Sequence, residues 1–160
     1  MPKVLFAASC DPITIGHLSL IERGAKLFDQ LIIAVSTKPT KRPFRFTLEE
    51  RMAMIGQVTR HLENVEIVPL EDLSASFAKQ RGCVFLLRGL RSSLDFEYEY
   101  DLASLNREIS GIETFFMACL PQHTHLSSSL IYEIASYGQS IKGLVPEGLE
   151  EIISKKFTQH

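Results

Sequence analysis

The chain has 160 residues, 45% of them hydrophobic and 22% charged, with a formal net charge of −2. That length suits one domain with its own core, and the composition excludes a disordered or fibrous chain. The charge speaks against a nucleic-acid polyanion as the main partner, and no apolar run approaches the roughly 20 residues of a membrane span. The opening residues give way at once to Asp11-Pro12, so no signal peptide is expected. Cys10, Cys83 and Cys119 form neither a metal spacing nor a disulfide framework, which points to a reducing cytoplasm.

Short apolar runs alternate with helical patterns along the chain. Lys3–Ala8 reads as a buried strand. A helix is expected over His17–Phe28, where Leu18, Leu20, Ile21, Ala25 and Leu27 fall near a helical period. Leu31–Val35 reads as a second strand. Thr47–His61 reads as a helix opened by a capping box between Thr47 and Glu50. A strand over Val65–Val68, a helix over Leu73–Gln80 and a strand over Cys83–Leu87 follow. Then come a long helix over Leu94–Ile109, a strand over Thr114–Leu120 and a helix over Ser127–Tyr137 that Gly138 is placed to end. The last helix is expected over Pro146–Phe157, with the proline in its first turn.

Strands apolar on both faces, alternating with helices, mean a parallel sheet covered on both sides. The expected fold is therefore α/β: a single doubly wound, Rossmann-like, five-stranded parallel sheet, forming one domain over residues 1–160. Ligands of such a sheet sit beyond the carboxyl ends of its strands.

Three strand-to-helix junctions carry groups suited to phosphate. The first ends in Gly16-His17 at a helix N-terminus, which offers free N–H groups and partial positive charge. It lacks both the dinucleotide G-x-G-x-x-G pattern and the G-x-x-x-x-G-K-[ST] phosphate loop. The second is Arg88-Gly89-Leu90-Arg91, read as directly following the fourth strand, with guanidinium groups fit for bidentate phosphate contacts. The third is Ser127-Ser128-Ser129, three hydroxyls where a helix cap needs one. Each has a plain structural alternative: a capping histidine, surface pairs from Arg88 or Arg91 to Asp95 or Glu99, an ordinary serine cap. Their common edge of one sheet favours function. The segment Ser36–Phe46, with Lys38, Lys41, Arg42 and Arg45, reads as a basic, mobile loop over the same edge. No carboxylate pair or nucleophile–base pair is evident, which points to phosphoryl or nucleotidyl transfer by positioning and charge stabilisation. His123 and His125 lack a third metal ligand. The other acidic residues of the long helix, Asp95, Glu97 and Asp101, read as a solvated face.

Five motifs in order carry a resemblance. They are Ser9-x-Asp11-Pro12-x-Thr14-x-Gly16-His17, Phe46-Thr47-Leu48-Glu49-Glu50-Arg51, Arg88-Gly89-Leu90-Arg91, Asp95-Phe96-Glu97-Tyr98-Glu99 and Ser127-Ser128-Ser129-Leu130. Together they resemble the bacterial phosphopantetheine adenylyltransferase family over nearly the whole chain. The resemblance implies transfer of an adenylyl group from ATP to 4′-phosphopantetheine, giving dephospho-coenzyme A and pyrophosphate. It also implies Mg2+, a cytoplasmic homohexamer and feedback binding of coenzyme A. His17, Arg42 and Arg91 then fall at catalytic positions, and His17 also contacts the ATP phosphates. Ser9 lies between ATP and the acceptor phosphate, and with Cys10 it lines the ATP phosphates. Ser74 and Arg88, with Ser9 and Arg42, fall at acceptor positions. Gly89, Leu90, Arg91, Glu99, His123, Thr124, His125, Leu126, Ser127, Ser128 and Ser129 fall where the family binds ATP.

The chain departs from the family pattern at Ala7, Ala8 and Cys10, which stand where proline, glycine and phenylalanine are usual. The basic loop reads as one residue longer, so Lys41 and Arg42 both stand for one family lysine. His123 and His125 stand where aromatic residues are frequent. Two rivals stand beside this reading: adenylyl or cytidylyl transfer to another small phosphate, and a nucleotide sensor without catalysis, which the departures at Ala7, Ala8 and Cys10 motivate.

Overall fold

The computed structural model describes residues 2–159; Met1 and His160, the ends of the expected domain, lie outside the described residues. Five parallel strands form one sheet: β1 (Lys3–Ala8), β2 (Gln30–Ser36), β3 (Val65–Leu70), β4 (Phe85–Leu90) and β5 (Glu113–Ala118). Their order is β3-β2-β1-β4-β5. The chain thus winds outward from β1 in one direction, then returns to β1's other side and winds the opposite way. The expected five-stranded doubly wound sheet is present.

Six α-helices connect and cover the strands: α1 (Ile15–Leu27), α2 (Leu48–Thr59), α3 (Ser74–Gln80), α4 (Ser93–Ser110), α5 (Ser128–Ser136) and α6 (Glu150–Thr158). One core joins β1, β2 and β4 side chains to Leu20 and Ile21 of α1, Met54 and Ile55 of α2, Ile131 of α5, and Ile153 and Phe157 of α6. A second core, on the other face, packs Leu5, Ile32, Ala34 and Leu86 against Ala75, Phe77 and Ala78 of α3. Alternate side chains of each strand point to opposite faces, so the continuously apolar strands feed both cores. At Gly24 of α1 a Cβ would stand 2.8 Å from both Leu31 Cδ1 and Leu87 Cδ2, so the helix lies hard against the sheet.

The predicted capping box is formed: the Glu50 N–H donates to Thr47 Oγ1 and the Thr47 N–H to Glu50 Oε2. Gly111 and Gly138 take positive φ, 75° and 74°, just beyond α4 and α5. Several boundaries shift by one or two residues, and two differ from expectation by more than that. β4 runs to Leu90 rather than Leu87, because Arg88, Gly89 and Leu90 pair with Phe116, Met117 and Ala118 of β5. Charged Arg88 hides that strand's tail from a reading of hydropathy. α6 starts at Glu150, since Pro146 opens a separate turn closed by the Leu149 N–H on its carbonyl.

The pairing of β1 is uneven. It matches β2 along its whole length, from Lys3 to Ala8, but β4 only at Val4 and Leu5. Beyond Leu5 the two strands part, and a crevice opens between them at their carboxyl ends.

Candidate active site

A cavity of about 540 Å³ fills that crevice. Ser9, Cys10, Gly16 and His17 line it from the first junction, Arg88, Gly89 and Arg91 from the end of β4, Asp95 and Glu99 from α4, and Leu126, Ser127 and Ser128 from the entry to α5. A smaller cavity of about 170 Å³ lies against it, lined by Ser9, Asp11, Lys41, Arg42, Ser128 and Ser129 among others. Lys41 lines both; Arg42 lines only the smaller. The three phosphate-suited junctions do converge. His123 is also at the larger cavity, on a short 3₁₀ turn, Pro121–His123, that the sequence reading does not anticipate. Ser74, Leu90, Thr124 and His125 line neither cavity.

The first junction builds a directed donor. Thr14 caps α1, its Oγ1 accepting from the His17 N–H at 3.3 Å. In return the Thr14 N–H donates to His17 Nδ1 at 3.0 Å. A backbone N–H can only donate, so Nδ1 must be the bare nitrogen and the ring proton sits on Nε2. Burial, helped by the nearby Arg91 charge, lowers the His17 pKa to about 4. At neutral pH the ring is therefore an uncharged N–H donor of fixed tautomer at the cavity wall. Gly16 lies against His123 on the same wall; a Cβ there would be in ordinary contact with His123 Cβ, at 3.7 Å. Nδ1 of His123 is itself buried without a hydrogen-bond partner among the described residues.

Cys10 sits between Ser9 and Asp11 with φ 47°, a left-handed conformation that costs a non-glycine residue about 1–2 kcal/mol. Burial pushes its thiol up to about 12, so it stays protonated and is no nucleophile.

Arg88 of β4 and Arg91 just beyond it are held by α4. Arg88 Nε and Nη2 each donate to a Glu99 carboxylate oxygen at 2.7 Å, and Nη1 donates to the Ala7 carbonyl at 3.3 Å. Glu99 is buried, and its charge, with its hydrogen bonds, raises the Arg88 pKa against the opposing effect of burial. Arg91 donates from Nε to Asp95 and from Nη1 to the Leu126 carbonyl, both at 3.1 Å. Asp95 is thus an arginine partner and not part of a solvated face. The surface-pair alternative is half right. Both pairs exist, but they lie at the cavity wall and present the guanidinium groups to it.

The three serines divide their work. Ser127 caps α5 by accepting the Leu130 N–H, and the Ser128 hydroxyl donates to the Pro12 carbonyl at 2.8 Å, tying α5 to the first junction. Ser129 lines the smaller cavity.

Two residues outside the expected set organise the basic loop. Asp11 is 2% exposed and accepts from the Arg45 and Phe46 N–H groups at 2.9 and 2.8 Å, and from Arg42 Nη1 at 3.3 Å. Arg51, 1% exposed, donates to the carbonyls of Ser9, Ser36 and Phe46. The loop expected to be mobile is therefore pinned at both ends. Arg51 had a signal in the sequence: it lies three and four residues before Met54 and Ile55, on the apolar stripe of α2.

The cytidylyltransferase-like family matches residues 5–134 of this chain. A phosphopantetheine adenylyltransferase of Symbiobacterium thermophilum is 41% identical over 99% of the chain and 98% of its own length. One of Finegoldia magna is 44% identical over 97% of the chain and 96% of its own. The chain belongs to the phosphopantetheine adenylyltransferase family. Among solved structures, a putative nicotinate-nucleotide adenylyltransferase of Vibrio parahaemolyticus covers 96% of the chain and is itself covered to 99%, with TM-score 0.68 and 19% identity. That likeness is one of fold. Family membership accords with the motif order, and the substitutions at Ala7, Ala8 and Cys10 fall within a wall that still carries Ser9 and His17.

Proposed function

We propose that the protein transfers the adenylyl group of ATP to 4′-phosphopantetheine, giving dephospho-coenzyme A and pyrophosphate. The observation that carries this reading is the match in sequence to relatives of that name along nearly the full chain. The cavity supplies a physical basis. An acceptor phosphate oxygen attacks the α-phosphorus of ATP, the bond to the bridging oxygen breaks, and pyrophosphate leaves. The attacking group is already anionic, so no general base is needed. The obstacle is repulsion between negative charges, and preorganised donors lower it.

In this reading His17 donates from Nε2 to an α-phosphoryl oxygen, more strongly as charge develops there. Arg91 and either Lys41 or Arg42 neutralise the departing phosphates, assisted by the N-terminus of α5 and Ser129. Arg88, with Ser9, takes the acceptor phosphate, and the loop from His123 to Ser127 borders the nucleotide. Among the described residues no group of three or more His, Cys, Asp or Glu could hold a metal, and both cavity carboxylates of α4 already face arginines. That donor set suits a Mg2+ ion that arrives on the ATP phosphates and keeps several waters. The ion supplies further neutralisation of phosphate charge.

The reading extends to assembly as a homohexamer, to feedback by coenzyme A and to a cytoplasmic setting. Exposed Leu94, Tyr98, Leu105 and Ile109 along α4 support self-association. No helix among the described residues is long and apolar enough to cross a membrane. Purified protein with Mg·ATP and 4′-phosphopantetheine should release pyrophosphate and form dephospho-coenzyme A, identified by mass. Turnover on a different phosphate acceptor, or tight ATP binding without turnover, would overturn the reading.

A further inference from the structure

We propose that Asp11 is a positioning residue for phosphate binding. Its buried carboxylate fastens the basic loop to the first junction and so sets where Lys41 and Arg42 stand at the two cavities. The inference rests on the adenylyl-transfer reading only for the identity of the phosphate ligand.

The geometry is that of a clamp. Asp11 Oδ1 accepts from the Phe46 N–H, and Oδ2 accepts both the Arg45 N–H and Arg42 Nη1. These bonds reach across 31 to 35 residues of sequence, from the turn after β1 to the far end of the loop. Arg51 closes the same bracket from below, binding the carbonyls of Ser9, Ser36 and Phe46. Asp11 and Arg51 therefore hold the loop's end as donor and acceptor mirror images. Arg51 takes the carbonyl of Phe46, and Asp11 takes its N–H.

What this fixes is the short span between the anchors. Thr40, Lys41 and Arg42 line the smaller cavity, and Asp11 itself forms part of that wall. Lys41 has no ion-pair partner among the described residues and lines both cavities, whereas Arg42 is turned to Asp11. A neutral amide cannot replace this carboxylate. Asparagine offers one oxygen and one NH2, and that NH2 would meet a backbone N–H with no acceptor between them. One end of the clamp would open while the rest of the site kept its residues. A displacement of about 1 Å in such a positioning group can cost on the order of 10²-fold in rate.

The test compares Asp11→Asn in two backgrounds, the native chain and Lys41→Ala/Arg42→Ala, by kcat and KM for ATP and by the Kd of inorganic tripolyphosphate. In the native background, Asp11→Asn should weaken tripolyphosphate binding and lower kcat/KM by about 10- to 100-fold. In the background lacking both cations the same substitution should change either quantity less than about twofold. Equal losses in both backgrounds would mean that Asp11 acts through the fold alone, and would overturn the proposal. The tripolyphosphate arm reads the clamp even if the native enzyme adenylates another acceptor, so failure of the functional reading and failure of this inference are separable. If Asp11→Asn does not fold, amide exchange in the native protein decides. Slow exchange at the Arg45 and Phe46 N–H groups supports the clamp, and exchange at open-loop rates overturns it.

Discussion

The Thr14 N–H donates to His17 Nδ1 across 3.0 Å, and this one bond assigns the imidazole proton to Nε2. The capping box that starts α1 is thus also the device that prepares the donor of the site. A His17→Ala variant should lower kcat by about 10²–10³-fold, the loss seen when one preorganised transition-state donor is removed. KM for ATP should move far less. Steady-state kinetics of pyrophosphate release checks this; a raised KM with kcat intact would show that His17 serves only the ground state.

The same histidine sets a pH signature. Burial, then the Arg91 charge, brings its pKa down to about 4 from the ordinary value near 6.5. Between those values the unfolded chain binds a proton that the folded protein refuses, so stability rises with pH through that window and is lost as pH falls through it. Arg91→Ala removes one cause and should move the His17 midpoint upward. Ring-proton chemical shifts followed from pH 3 to 8 in both proteins check the direction.

Lys41 and Arg42 are distinguishable by their partners. Arg42 already leans on Asp11, while Lys41 stands between the two cavities. Lys41→Ala should therefore cost more in kcat than Arg42→Ala. Parallel assays at saturating Mg·ATP check it, and the reverse order would return the reacting phosphates to Arg42.

Glu99 holds Arg88 through two bonds of 2.7 Å, largely out of water. Glu99→Gln keeps the shape but removes the charge and one acceptor. Charge-assisted hydrogen bonds of this kind contribute about 1.5–3 kcal/mol, so unfolding in urea should show a loss of that order. The KM for the acceptor should rise with it, since Arg88 loses its aim.

Gly24 has no room for a methyl group. Alanine favours a helix by about 1 kcal/mol, yet overpacking a filled core costs about 1–3 kcal/mol. With Leu31 and Leu87 both fully buried, the second effect should win, and Gly24→Ala should lower Tm while leaving kcat unchanged. Calorimetry and the pyrophosphate assay together check it.

The elements are legible in the sequence because their causes are local. Apolar runs such as Leu31–Val35, the Thr47–Glu50 box and Gly138 beyond α5 each act within a few residues. The convergence of His17, Arg88 and Ser127 is legible too, since a doubly wound sheet sends every strand's carboxyl end to one edge. What escapes is whatever depends on distant backbone. Asp11 reads as a motif residue without a task until the Phe46 N–H, 35 residues on, is folded against it. Arg51 shows in the sequence only as a charge on the apolar stripe of α2, and its task appears when three strand and loop carbonyls surround it. The tail of β4 escapes for the same reason, because β5 makes Arg88 part of a strand.

The parting of β1 from β4 beyond Leu5 carries an evolutionary constraint. The Ala7 carbonyl, left without a strand partner on that side, is taken by Arg88, a side chain doing what a ladder would otherwise do. Selection for greater robustness would favour sequences that zip the two strands together, since every closed rung satisfies a buried peptide group. Each rung gained would also fill the room in which a ligand can lie. The open seam is therefore a place where substitutions that close it should gain hardiness only by surrendering turnover.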